Sequence, residues 1–217
     1  MRSSLLRHFS SSPVPTVAAE AASEQRPSAH QRRLFKNQYV ISHRLGQGGF
    51  GTAYFAKDIT AASPLPCVIK QLKYKSQTPM DLERSQRRFQ REVRTMARLG
   101  SHSQIPGLLS HFTDGGKFYL VQEYVPGLTL TQEVSRQGVQ TEDQVKQLIR
   151  EMLPIIRHIH RQNLLHLDIK PSNIIRRSHD HKLVLIDFGA VRRASDGPES
   201  APAKKQRCAG TIGFAPI

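Results

Sequence analysis

The chain has 217 residues, with 32 Lys and Arg against 17 Asp and Glu, a formal net charge of +15, and 38% hydrophobic residues. That length suits one large domain or two small ones and is enough to bury a core. No apolar run approaches the roughly 20 residues needed to span a bilayer, and Cys67 and Cys208 form neither a metal pattern nor a disulfide framework.

The basic excess is spread along the chain. Residues 1–36 hold 6 basic and 2 acidic side chains, residues 37–125 hold 12 and 6, and residues 126–217 hold 14 and 9. Such a field attracts polyanions in general. With no zinc finger, aromatic ribonucleoprotein motif or basic zipper, it predicts no specific nucleic-acid partner.

Residues 1–36 read as a disordered basic leader, rich in Ser, Ala and Pro. The opening MRSSLLRHFSSS resembles a mitochondrial transit peptide in composition, but an ordinary tail is the preferred reading, and the expected location is cytoplasmic. Alternation then predicts strands at Tyr39–Leu45 and Thr52–Lys57, separated by GQGGFG, and a third at Cys67–Leu72. Asp81–Leu99 has helical spacing, with Phe89, Val93, Met96 and Leu99 on one side and six arginines on the other. Leu108–Phe112 and Lys117–Tyr124 form a hairpin across Asp114-Gly115-Gly116. Residues 141–161 form a second helix with Thr141 as its cap, and short strands follow near Ile174–Ile175 and Leu183–Ile186.

Four sites carry chemistry. In Gly46-Gln47-Gly48-Gly49-Phe50-Gly51, glycines permit a tight turn and close approach of backbone N–H groups to phosphates. The strand after it argues against a dinucleotide-binding fold, where a helix would follow. Lys70 ends an apolar run, and Glu92 lies near the apolar face of the predicted helix, where a carboxylate needs a cation. In His166-Leu167-Asp168-Ile169-Lys170-Pro171-Ser172-Asn173, Asp168 suits a proton acceptor, Lys170 a phosphoryl-neutralising cation and Asn173 a metal-binding carbonyl. Asp187-Phe188-Gly189 puts a carboxylate at a strand end, as Mg²⁺ prefers.

Taken in order, with NQYVISHRLGQGGFGTAY, HLDIKPSNII and LVLIDFGAVR, these segments resemble the eukaryotic-like serine/threonine protein kinases, most closely their cyanobacterial-type bacterial branch. The resemblance implies an α+β, protein-kinase-like two-lobed fold. A β-rich N-lobe with hinge would cover 37–125, and an incomplete helical C-lobe 126–217. It implies ATP and Mg²⁺ as cofactors and transfer of the γ-phosphoryl group to protein Ser/Thr hydroxyls. Gly46, Gln47, Gly48, Gly49, Phe50 and Gly51 would cover the phosphates, and Lys70 would contact them while pairing with Glu92. Ala53, Val68, Gln122, Glu123, Tyr124, Val125 and Ile175 would complete the nucleotide site, with Gln122 at the gatekeeper position. Asp168 would be the catalytic base beside Lys170, and Asn173 and Asp187 would bind the metal. Thr211 matches the substrate-facing loop, and Met96, Leu108, His166 and Phe188 match a stacked column between the lobes.

Departures accompany the resemblance. Leu167 stands where many members have Arg, which weakens the case for control by loop phosphorylation. The chain ends at Ala215-Pro216-Ile217 where the family has Ala-Pro-Glu. That end predicts an incomplete C-lobe, a bare apolar face on helix 141–161, and a partner chain completing the lobe. The alternative function is therefore an inactive ATP-binding fragment acting through that partner. A small-molecule kinase of the aminoglycoside type is disfavoured by Lys170 and by the glycine loop.

Overall fold

The structure, a computed structural model, describes residues 34–49, 51–73, 78–100 and 102–195. Its first part is a six-stranded antiparallel sheet. The strands are β1 (Leu34–Phe35), β2 (Tyr39–Gly48), β3 (Gly51–Asp58), β4 (Leu65–Leu72), β5 (Leu108–Asp114) and β6 (Lys117–Glu123), in the order β1-β2-β3-β4-β6-β5. Leu34 and Phe35 fall in the segment read as leader, yet they pair with Val40 and Tyr39. Phe35 packs its ring against Phe112 and Tyr119, burial that a polar tail lacks. The glycine segment is also more regular than expected. Gly46, Gln47 and Gly48 continue β2 and pair with Ala53, Thr52 and Gly51, so the turn is confined to the hairpin tip.

Alternation sends one set of side chains to each face of this sheet. Tyr39, Ala56, Cys67, Ile69, Tyr119 and Val121 form a core on one face. Leu72, Phe118 and Leu120 face the other way, against helix α1 (Pro79–Leu99), which contributes Phe89 and Val93. The start of α1 is set by local chemistry. Thr78 accepts a hydrogen bond from the Asp81 N–H at 3.1 Å, and Pro79 sits where no helical N–H is needed.

Beyond the sheet come β7 (Gly127–Thr129), α2 (Leu130–Gln137), α3 (Glu142–Arg161), β8 (Leu164–Leu165), β9 (Ile174–Arg177), β10 (Leu183–Leu185) and β11 (Arg192–Arg193). Strands β10, β9 and β7 form a three-stranded antiparallel sheet, and β8 pairs with β11. Thr141 caps α3 through a reciprocal capping box with Gln144. A second apolar core joins Met96 and Leu99 of α1 to Met152, Ile155 and Ile159 of α3, and to Ile174, Leu183, Leu185 and Phe188.

The apolar stripe of α3 is split by this packing. Met152, Ile155 and Ile159 are buried, whereas Ile149 and Leu153 remain 51% and 52% exposed and Val145 is exposed beside them. Among the described residues, no helix is long and apolar enough to cross a membrane.

Candidate functional site

The site lies where β4, α1 and two loops meet. Lys70 pairs in register with Ala53 of β3 and Leu120 of β6 and is only 7% exposed. Its Nζ donates to Glu92 Oε1 at 3.2 Å and to Asp187 Oδ1 at 2.5 Å. Burial alone would push the lysine pKa down. The two carboxylates outweigh it and hold the ammonium above its ordinary range. Burial likewise acts to raise the Asp187 pKa, but the Lys70 charge and hydrogen bond leave it below the ordinary carboxylate value. Lys70 and Glu92, expected to pair because a carboxylate near the apolar helix face needs a cation, do meet; the Asp187 contact is an addition of the tertiary structure.

The second cluster is built on the loop after β8. Asp168 is 3% exposed. Its Oδ2 accepts from Asn173 Nδ2 at 3.0 Å and lies 2.9 Å from Lys170 Nζ. Asn173 Nδ2 also donates to the Asp168 backbone carbonyl at 2.9 Å, so a short 3₁₀ turn (Pro171–Asn173) folds the asparagine back onto the aspartate. Leu167, next to Asp168, has φ +62°, and Asp187 has φ +65°. Non-glycine residues pay strain in the left-handed region, and two such residues flank the cluster.

The two clusters are joined. The Ile186 N–H donates to the Asn173 carbonyl at 2.8 Å, which fixes Asp187 beside the Asp168 loop. His166 packs edge-on to Phe188, with ring centroids 4.9 Å apart, and its Nδ1 accepts from the Asp168 N–H at 3.3 Å. Burial pushes the His166 pKa down to about 4, against the opposing pull of Asp187 and Asp168. The neutral ring suits this packing. Met96 and Phe188 share one core and Leu108 packs against it, so the four residues of the expected column come together.

The glycines divide by role. A Cβ added to Gly46, Gly48 or Gly49 would meet nothing within 4 Å, which leaves room along the hairpin for a ligand. Gly51 differs. It has φ +147°, and an added Cβ would fall 2.1 Å from the Gln71 backbone oxygen, so the close approach of β3 to β4 requires glycine here.

The remaining nucleotide-site candidates lie on adjoining strands. Ala53 is on β3, and Val68 on β4 pairs with Gln122 on β6. Tyr124 follows β6 and meets Phe55 edge-on at 4.8 Å, Val125 is half-buried, and Ile175 sits in β9 opposite Val184 and Thr129. Glu123 turns its carboxylate to the Gly107 N–H at 3.0 Å, and its own N–H donates to the Gly107 carbonyl. That side-chain role had no marker in the sequence. Phe50, Thr211 and residues 1–33 lie outside the described residues.

The donor set fits Mg²⁺, a hard cation that takes one or two protein oxygens and completes its shell with water and phosphate. Asn173 commits its amide nitrogen to Asp168, so its carbonyl oxygen is the end left for a cation. Asp187 adds a carboxylate held in its charged form by Lys70.

The family described as protein kinase domain matches residues 39–216. Serine/threonine-protein kinase B of Synechocystis sp. is 46% identical over 184 residues, covering 82% of this chain and 32% of that protein. Serine/threonine-protein kinase PknA of Nostoc sp. is 44% identical over 163 residues, covering 75% and 29%. The probable serine/threonine-protein kinase YbdM of Bacillus subtilis is 34% identical over 175 residues, covering 80% and 64%. The chain thus spans about a third of the length of the two cyanobacterial relatives.

Proposed function

The chain belongs to the protein kinase domain family, and on that premise we propose that it transfers the γ-phosphoryl group of Mg·ATP to Ser or Thr hydroxyls of a protein substrate. One observation carries the proposal: a single buried ammonium, Lys70, is held at once by Glu92 and Asp187, beside the linked cluster of Asp168, Lys170 and Asn173.

In this reading the hairpin of Gly46 to Gly51 covers the phosphates with backbone N–H groups. Lys70, oriented by Glu92, binds phosphate oxygens of ATP. Val68 and Ala53 wall the adenine, with Ile175 across from them, and residues 122–125 form the hinge. Asn173 and Asp187 hold Mg²⁺, which when bound neutralises charge that builds on the phosphoryl oxygens. Asp168 Oδ2 accepts the proton of the attacking hydroxyl as its oxygen bonds to phosphorus, and ADP departs with the electron pair of the broken P–O bond. Lys170 donates toward the transferring group. Thr211 is assigned to the substrate-facing loop. The cytoplasm is the proposed location, which the unpaired thiol of Cys67 suits.

The test is Mg·ATP-dependent phosphate incorporation into the chain itself or a generic basic protein. Asp168→Ala is expected to lower it by about 10²–10⁴-fold, the span for loss of a general base. Equal incorporation by both proteins would overturn the assignment. A second reading, an ATP-binding fragment that works through a partner chain, is favoured by the exposed Val145, Ile149 and Leu153 on α3. A thermal shift with Mg·ATP but no transfer from the isolated chain would select it.

A further inference from the structure

Helix α1 carries six arginines and no lysine: Arg84, Arg87, Arg88, Arg91, Arg94 and Arg98. At about 100° per residue they fall within an arc of about 120°, on the side turned away from Phe89, Val93 and Met96. At 1.5 Å per residue the ridge is about 21 Å long. All six are exposed.

A merely solvated face would not be built this way. The six arginines make six like-charge neighbours at i,i+3 or i,i+4 spacing, each costing a helix about 0.2–0.5 kcal/mol. Arg87 is answered on the helix surface by Glu83 at 2.6 Å. Arg98 reaches Gln162 Oε1 at 3.1 Å. Arg84, Arg91 and Arg94 make no ion pair among the described residues.

We propose that this ridge is a docking surface for an acidic helical segment of another protein, with carboxylates repeated at helical spacing along one face. Guanidinium groups pair bidentately with carboxylates, which suits an arginine-only ridge. An arc of this width accommodates one helix lying alongside. A second copy of this chain is disfavoured as the occupant, because it brings another +15 of like charge. A single-stranded nucleic acid fits less well, because such sites add aromatic platforms to their cations and the sole aromatic residue of α1, Phe89, is buried on the opposite side. The surface goes beyond the phosphotransfer reading and does not depend on it.

The probe is a fluorescent helical peptide of about 16 residues, long enough to span the ridge, with Glu at every third or fourth position. Binding to the full chain is read by anisotropy, without turnover. R84Q/R91Q/R94Q is compared with K57Q/R136Q/R150Q, which removes the same charge from exposed positions elsewhere. The ridge variant is expected to lose about tenfold or more in affinity and the control less than about threefold, since an undirected field effect would weaken both alike. Relief of self-repulsion also predicts that the ridge variant melts at the same temperature as the parent or higher. Three results would overturn the proposal. One is equal loss in both variants. Another is no peptide binding by the parent. The third is ridge-dependent binding of single-stranded DNA or phosphatidylserine vesicles that the peptide fails to displace.

Discussion

Regular elements carry one side of the site, and loops carry the other. Lys70 and Glu92 stand on a strand and a helix whose neighbours are Ile69, Leu120, Phe89 and Val93, so packing fixes them before any ligand arrives. Asp168 and Asp187 stand on loops in which Leu167 and Asp187 itself adopt left-handed backbone. Hydrogen bonds hold them instead: Asn173 to Asp168, Ile186 to Asn173, and Lys70 to Asp187. The contrast teaches that Lys70 does two things. It supplies positive charge to the site, and it ties the packed side to the strained side.

Lys70→Met breaks that tie, with the largest expected effect. Transfer should fall by about 10²–10³-fold, as for removal of one preorganised electrostatic donor. Stability should fall as well, because breaking a buried ion pair from one partner costs about 3–5 kcal/mol. Steady-state transfer and a melting curve on the same variant read both. If transfer stays within about threefold of the parent, the ammonium is not part of the chemistry, and the packed side of the site is only a scaffold.

The packed side was largely legible in the sequence, and the reason is periodicity. Helix α1 shows its buried face at 3.6 spacing in Phe89, Val93, Met96 and Leu99, which puts Glu92 beside that face, and its pairing with Lys70 followed from the need of a carboxylate there for a cation. The loop side was legible as residue types at fixed spacing but not as geometry. Nothing marks Leu167 for φ +62°, since leucine carries no local hydrogen-bonding group that favours that region. The Lys70–Asp187 contact joins residues 117 apart, beyond any local pattern. Helix α2 was missed for a different reason. It has eight residues and buries only Leu130 and Glu133, too few for a period, although the capping box of Thr129 and Gln132 was its one available signal.

On the loop side, a pH experiment isolates His166. With its pKa depressed to about 4 in the fold and near 6.5 unfolded, the unfolded chain binds the extra proton between those values. Stability from this group is therefore complete above pH 6.5 and is lost as pH falls toward 4, by about 3 kcal/mol over the window. His102, also depressed by burial and by His158, acts in the same direction. His166→Leu keeps an apolar group against Phe188 and removes the titration. Its melting temperature should vary less between pH 6.5 and 4 than that of the parent. Identical slopes would mean that His166 is not held neutral by the loop.

The smallest effects sharpen the comparison at the glycine hairpin, where one short segment contains both kinds of constraint. Gly51 belongs to the packed side. A Cβ there meets the Gln71 backbone oxygen, which cannot rotate away, and φ +147° disfavours a side chain independently. Gly51→Ala should cost about 1–3 kcal/mol in a melting experiment, before any ligand is added. Gly48, three residues earlier on the same hairpin, faces open space. Gly48→Ala should leave stability within about 0.5 kcal/mol of the parent, while weakening Mg·ATP binding if the hairpin closes over phosphates as proposed. Equal melting losses for the two variants would mean that Gly48 is also fixed by packing. The open space along the hairpin would then no longer support a phosphate cradle. A loss confined to Gly51, with ATP affinity lost only at Gly48, would separate the glycine that builds the sheet from the one that serves the ligand.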